Sequence, residues 1–320
     1  MRRQLAARVA QSLIVVFIVT TISFFVIRAA PGDPFAYEGR NITPAVREFW
    51  RKKYGFDRPL AEQYVRYVSS AIRGDLGWSY SKQRPVADAL AEAVPRTLLL
   101  AGVALTISFV LGAMVGVVQA VRRDQWFDRV SSAVLVFFYS LPDFWAALMI
   151  LLAFSYWWRI LPPGGIVDPT MHEYMGPWRA FVDRLTHLVL PVTAFALLTM
   201  AAVARYQRAA MLEILPADYI RTARAKGLPE RDVIWRHALR TALTPMVTLL
   251  GLLLPGFIGG AVFIEKVFSW PGMGLLAASA VSNRDYDLVS ATVIVGSVMV
   301  VVGNLLADLL HAAIDPRVRE

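Results

Sequence analysis

The chain has no cysteine among its 320 residues, so a disulfide framework and thiolate metal sites are excluded. Histidine is scarce: His172, His187, His237 and His311 are the four, and none stands at ligand spacing from another. Charge is sparse too, with 18% of residues charged against roughly 25% in soluble domains. The dipeptide Gly-Lys never occurs, so the phosphate-binding loop Gly-x-x-x-x-Gly-Lys-[Ser/Thr] is missing. No catalytic constellation and no metal site is expected, and there is no low-complexity tract or internal repeat.

What is present is apolar. Hydrophobic residues make up 57% of the chain and mean hydropathy is +0.50. They fall in long uncharged blocks, which excludes a soluble α/β enzyme and a disordered chain. A bilayer core needs ~20 apolar residues of helix. Six stretches qualify: 9–27, 98–121, 130–158, 185–204, 241–264 and 288–307. The first is too long for a signal-peptide core and reads as a retained anchor. The sequence therefore predicts an all-α integral membrane protein with six transmembrane helices, one domain over 1–320.

The net charge of +9 follows from topology rather than from nucleic-acid binding. With the N-terminus inside, the inner segments hold 16 Lys and Arg in 64 residues, against 5 in 49 for the short outer loops. Basic residues collect on the cytoplasmic side, so both termini are expected there.

Two loops carry information. The outer loop, 30–97, is expected to be ordered. Thr43-Pro44 opens a helix to about Tyr54, Leu60–Arg73 forms a second, and Val86–Val94 a third before Pro95-Arg96-Thr97 starts the second span. Arg47, Trp50 and Arg51 combine arginine with an aromatic residue, the composition of an interface hot spot. After the fifth span, Glu265, Pro271 and Gly272 belong to a second outer element followed by a short apolar helix, Leu275–Val281. That helix is too short to span, and the region is expected near an outer gate or a protein contact.

The inner loop, 205–243, holds a short helix that Asp218 can cap and Gly227 can end. Thr222, Ala223 and Ala225 are small, so another surface could approach closely. On physical grounds lipid contact and partner docking both stand open here, since each surface Lys or Arg attracts anionic lipid by ~1 kcal/mol.

Inside the spans, Asp143 is an acidic residue placed within apolar sequence, which marks a functional candidate. It follows Pro142 and could either cap freed amides or line a pathway. Gly256 and Gly259 let the fifth span bend or pack closely. Gly303 and Ala307 form a small-x-x-x-small pair suited to helix contact.

The run Asp218-Tyr219-Ile220-Arg221-Thr222-Ala223-Arg224-Ala225-Lys226-Gly227 resembles the coupling motif of binding-protein-dependent ABC importer permeases. Pro31-Gly32-Asp33-Pro34, Gly74–Ser79, Asn283-Arg284-Asp285-Tyr286 and Ile314-Asp315-Pro316-Arg317 are similar to the first membrane subunit of the dipeptide/oligopeptide (and nickel) branch. Where the broader importer motif has Glu, this chain has Arg221. The resemblance implies a type I importer permease fold and half of a translocation pathway in a prokaryotic inner membrane. It implies a second permease subunit in a heterodimer, two ATP-binding subunits against residues 218–227, and an extracytoplasmic substrate-binding protein. ATP and Mg would be held by those partners, with no cofactor in this chain. Di- or oligopeptides are the implied cargo.

Overall fold

The structure is a computed structural model that describes residues 2–29, 43, 45, 48, 49, 52, 55 and 57–314; side-chain surroundings are described outside 2–7, 254–260 and 310–314. It is built from helices: α1 (Arg2–Ala29), α2 (Leu60–Ile72), α3 (Val86–Val121), α4 (Trp126–Ser140), α5 (Asp143–Leu151), α6 (Pro177–Ile214), α7 (Asp218–Ala225), α8 (Glu230–Asp232), α9 (Thr244–Val267), α10 (Met273–Ser282) and α11 (Tyr286–Ile314). A two-residue antiparallel ribbon, β1 (Trp78–Ser79) with β2 (Arg84–Pro85), precedes α3. Helices dominate because a chain in lipid must satisfy its backbone hydrogen bonds within each segment.

The expected apolar stretches are largely helical. Among the described residues four helices are long and apolar enough to cross a membrane, or five if a bent pair counts as one span: the four are Arg8–Ala29, Val86–Val121, Pro177–Ile214 and Tyr286–Leu309. The third stretch departs from expectation. It is not one helix over 130–158 but two, α4 and α5, bent by 107° at the break. Proline disfavours the helical region for the residue before it. Leu141 accordingly takes ψ 142° and Pro142 ψ 133°, both extended, and α5 starts afresh. It runs on as a π-helical stretch, Leu152–Trp157.

A second departure runs the other way. The separate short helix expected over Val86–Val94 is the beginning of α3, which continues through Pro95 to Val121. Pro95 removes a donor from the carbonyl of Ala91, and both residues lie on the exposed side of the helix. There the freed carbonyl need not be buried. Of the outer helix expected over 43–54, positions 45, 48, 49 and 52 are described and are helical; the rest lies outside the described residues.

The chain divides into two compact units. One comprises Thr97–Pro271 with Val302–Glu320, the other Arg2–Arg96 with Gly272–Val301. In the first, a core of Leu100, Leu151, Leu190, Phe195, Ile264, Phe268 and Trp270 joins α3, α5, α6 and α9. Close contact of α3 with α6 depends on two glycines one turn apart. A Cβ at Gly112 would lie 2.8 Å from Val203 Cβ, and one at Gly116 would lie 2.5 Å from the Ala204 carbonyl oxygen. Small residues at this spacing let helix backbones approach in a membrane. Gly303 and Ala307, the pair expected to do so, are both buried on α11.

In the second unit, Val86, Leu90, Met273, Leu276, Ala280 and Leu288 form the core. The end of α1 packs on α2 through Phe24, whose ring lies 5.4 Å from Tyr64 and 5.2 Å from Tyr67.

Candidate functional site

Helix α7 sits on an apolar base. Ile220 and Ala223 are buried against Val117, Ala120, Ala210, Met211, Val233 and Ile234. Tyr219, Arg221, Thr222, Arg224, Ala225 and Lys226 remain exposed. The helix is therefore amphipathic, with one seam fixing it to the protein and the rest free to meet another surface. Ala223 belongs to the seam, so its small size serves internal packing and not the outer approach.

The two ends of α7 differ from the sequence reading in one respect. Asp218 lies inside the first turn, Ala217 occupies the cap position, and no side chain caps the helix. Asp218 instead lies 3.6 Å from Arg221, one turn on, and its carbonyl accepts from the Thr222 hydroxyl at 2.8 Å. The acid still suits the positive end of the helix dipole. At the other end Gly227 takes φ +78°. The Gly227 amide donates to the Arg224 carbonyl at 2.9 Å and the Leu228 amide to Ala223 at 3.4 Å. These paired bonds close a helix with a left-handed residue, where glycine costs least.

A clamp holds the next segment. The Arg224 guanidinium donates to both carboxylate oxygens of Glu230, at 3.1 and 2.8 Å. This pairing pulls the Glu230 carboxyl below its usual range and raises Arg224. Beyond it, Val233–Ala238 is π-helical and presents Val233, Ile234 and Ala238 to the base.

Behind the site, the first turn of α4 and the C-terminal part of α6 are tied by a bidentate pair. Arg208 Nε and Nη2 each donate to Asp128 at 2.8 Å, and Asp128 also accepts from the Asp124 amide at 3.0 Å. Asp128 is 3% exposed. The sequence reading missed this pair because the partners are 80 residues apart. At the other end of α6, Asp183 accepts from His172 Nδ1 at 2.6 Å and from the Asp168 amide at 3.0 Å. His187 Nδ1 lies 2.8 Å from the Asp183 carbonyl and 3.2 Å from its carboxylate. His187 is thus a buried structural residue, and the spacing Asp183–His187 was a legible sign.

The other expected residues lie apart from α7. Asp143 is the exposed first residue of α5, with Pro142 at the cap position and no side-chain cap bond, which sets aside capping as its role. Gly256 and Gly259 lie in α9, outside the residues with described surroundings. Arg47, Trp50 and Arg51 fall outside the described residues. Glu265 is fully buried and accepts from the Thr97 hydroxyl at 2.5 Å. Pro271 is half-buried and Gly272 is buried at the start of α10. No group of three His, Cys, Asp or Glu able to hold a metal ion occurs among the described residues.

The family model described as "Binding-protein-dependent transport system inner membrane component" matches residues 108–320, and its N-terminal companion matches 1–101. This chain belongs to that family. It is 37% identical over 313 residues to the oligopeptide transport system permease protein AppB of Bacillus subtilis, covering 97% of each chain. It is 36% identical over 304 residues to the glutathione transport system permease protein GsiC of Escherichia coli, covering 95% of this chain and 94% of that one. The dipeptide transport system permease protein DppB of Escherichia coli is 34% identical over 318 residues, 94% of each. A solved inward-facing MetNI methionine ABC transporter overlaps with TM-score 0.46 at 21% identity, over 69% of this chain and 95% of that one.

The protein is thus a multi-pass inner-membrane permease subunit of an ABC importer. It is non-catalytic: ATP hydrolysis resides in partner subunits, and the family works with ATPase and substrate-binding-protein partners.

Proposed function

We propose that this chain forms half of the pathway of an importer for di- or oligopeptides, and that the exposed face of α7 is where a cytoplasmic ATPase seats. A second, related permease subunit completes the pathway, and two ATP-binding subunits hold the ATP and Mg that drive it. Both termini then lie in the cytoplasm, together with α7. The observation that carries the docking role is the division of α7 into a buried seam, Ile220 and Ala223, and an exposed face. A helix held this way transmits a push to α3, α6 and the π-helical segment through its apolar base. Peptide cargo is supported by the relatives, whose names specify oligopeptide, dipeptide and glutathione transport. Asp143, beside Pro142 at the 107° break, leaves its carboxylate uncommitted to capping and able to face a peptide ammonium. Gly256 and Gly259 supply flexibility to α9 along the same path. Arg47, Trp50 and Arg51 are assigned to contact with the binding protein, and Glu265, Pro271 and Gly272 to the support of the outer gate.

Proteoliposomes holding this chain with its companion permease, ATPases and binding protein test the reading. ATP-dependent uptake of a labelled dipeptide or tripeptide is expected, and Tyr219→Ala with Arg221→Glu should cut uptake while the assembled permease persists. Full uptake by that double variant would overturn the docking role. Uptake of no peptide by the wild type would overturn the cargo.

A further inference from the structure

The second unit contains a cavity that the transport reading does not use. It has a volume of about 180 Å³. Three elements build its walls. Gln63, Arg66, Tyr67 and Ser70 come from one face of α2; Asp287, Ala291 and Ile294 from one face of α11. Arg28, at the end of α1, supplies a third side, and the Asp75–Gly77 turn closes one end.

Charges of both signs line it, and Arg66 is also ion-paired with Glu62 at 3.4 Å. Arg66 and Asp75 are exposed and form the mouth. Arg28 and Asp287 are half-buried and form the base. Hydroxyl donors line the wall between them: Ser70, and Tyr67, whose phenol burial pushes up to about 12, so that it keeps its proton at any working pH. Ala71, Ala291 and Ile294 give an apolar floor. The Gly77 turn packs closely against Asp287. A Cβ at Gly77 would lie 2.7 Å from Asp287 Oδ2, and Gly77 takes φ +83°, so no other residue fits there unstrained. Asp287 itself accepts from the Trp78 amide and the Tyr80 hydroxyl while lining the cavity; the neighbouring Asp285 does not line it. The Asp285 Oδ2 accepts from the Ser79 hydroxyl at 2.6 Å, the Ser81 hydroxyl at 2.8 Å and the Ser81 amide at 2.9 Å.

We infer that this cavity is a binding site for a small zwitterion, one α-amino acid or the end of a short peptide, held with its carboxylate toward Arg66, Tyr67 and Ser70 and its ammonium toward Asp75 and Asp287. The size agrees: an engineered protein cavity of about 150 Å³ accepts one benzene. A planar guanidinium matches a carboxylate, and two carboxylates suit an ammonium. A phospholipid headgroup has similar charges, but its acyl chains would have to leave past Arg66 and Asp75, which oppose apolar groups. The site goes beyond the proposed transport function; only the source of the ligand, cargo arriving from outside, rests on that reading.

The test is equilibrium binding of labelled glycylglycine to the purified permease complex in phosphatidylcholine nanodiscs. Acetylglycylglycine lacks the ammonium and glycylglycinamide lacks the carboxylate; each should bind about tenfold more weakly or worse. Ser70→Phe, which fills the cavity, and Arg66→Gln should each weaken glycylglycine binding by a similar factor and leave basal ATP hydrolysis unchanged. Binding that both variants preserve, or that either blocked peptide matches, would overturn the site. So would loss of binding when phosphatidylethanolamine replaces phosphatidylcholine, which would give the cavity to lipid. Uptake by the wild type reports cargo separately. Peptide uptake without variant-sensitive binding overturns the cavity alone, whereas variant-sensitive binding without uptake upholds it and overturns the cargo.

Discussion

Two helix ends in the first unit close with the same backbone turn and have opposite surroundings. After α7 the left-handed residue is Gly227, at φ +78°, and the helix it ends is mostly exposed. After α9 it is Ser269, at φ +49°. There the Trp270 amide donates to the Glu265 carbonyl at 2.8 Å and the Ser269 amide to Lys266 at 3.3 Å. Ser269 itself is exposed, but the aromatic residues on either side of it are buried: Phe268 is 0% exposed and Trp270 1%. Its outer carbonyl, of Phe268, accepts from the Gly165 amide at 2.9 Å. The same turn thus serves as an exposed stop in one place and as a packed joint in the other. What decides is the sequence around it, polar beside Gly227 and aromatic beside Ser269.

The comparison can be broken most severely at Gly164. A Cβ there would lie 2.2 Å from the Phe268 carbonyl oxygen, which is backbone and cannot rotate away. Gly164→Ala should abolish the joint and with it most of the assembled protein, read as membrane yield and monodispersity. The seam of α7 comes next. Ile220 is fully buried, and Ile220→Ala should cost about 2–4 kcal/mol locally, by lost transfer and cavity formation. Uptake should fall strongly while expression persists, since α7 is a short peripheral helix.

The turns themselves sharpen the contrast at smaller scale. A non-glycine residue in the left-handed region costs roughly 1–2 kcal/mol. Ser269→Gly should therefore raise thermal stability by about 1 kcal/mol, and Gly227→Ala should lower it by a similar amount, both read by thermal unfolding in detergent. Smallest is Asp168, outside the spans. The amides of Met171 and Thr170 and the Thr170 hydroxyl donate to its carboxylate and pull its pKa down to about 2. A depressed carboxylate stabilises above its unfolded value and loses that contribution as pH falls through the folded one. Asp168→Asn should thus behave as wild type near pH 2 and be slightly less stable above pH ~4.

Much of this was legible in the sequence because lipid imposes long apolar runs, and because helix stops such as Gly74 and Gly227 need φ > 0 that few residues accept. The break at Pro142 was half legible. Proline announced a distortion, but the 107° turn depends on Leu141 going extended as well. Continuity through Pro95 was not legible, since it turns on which side of α3 is exposed. Nor could periodicity show that Ala223 faces inward while Thr222 and Ala225 face out, because all three are small. The pairs Asp128–Arg208 and His172–Asp183 join residues that only the folded chain brings together.

The central claim is that the exposed face of α7 meets an ATPase and the seam does not. The absence of cysteine makes this directly measurable. Single cysteines at Arg221, Lys226 and, as a control on the seam, Ile220 can be placed in the assembled importer with a thiol-to-amine cross-linker. Cross-links from positions 221 and 226 to the ATP-binding subunit, changing in yield between nucleotide-free and ATP-bound states, with none from 220, are the predicted result. Cross-links from 220 alone, or none from 221 and 226 in either nucleotide state, would contradict it.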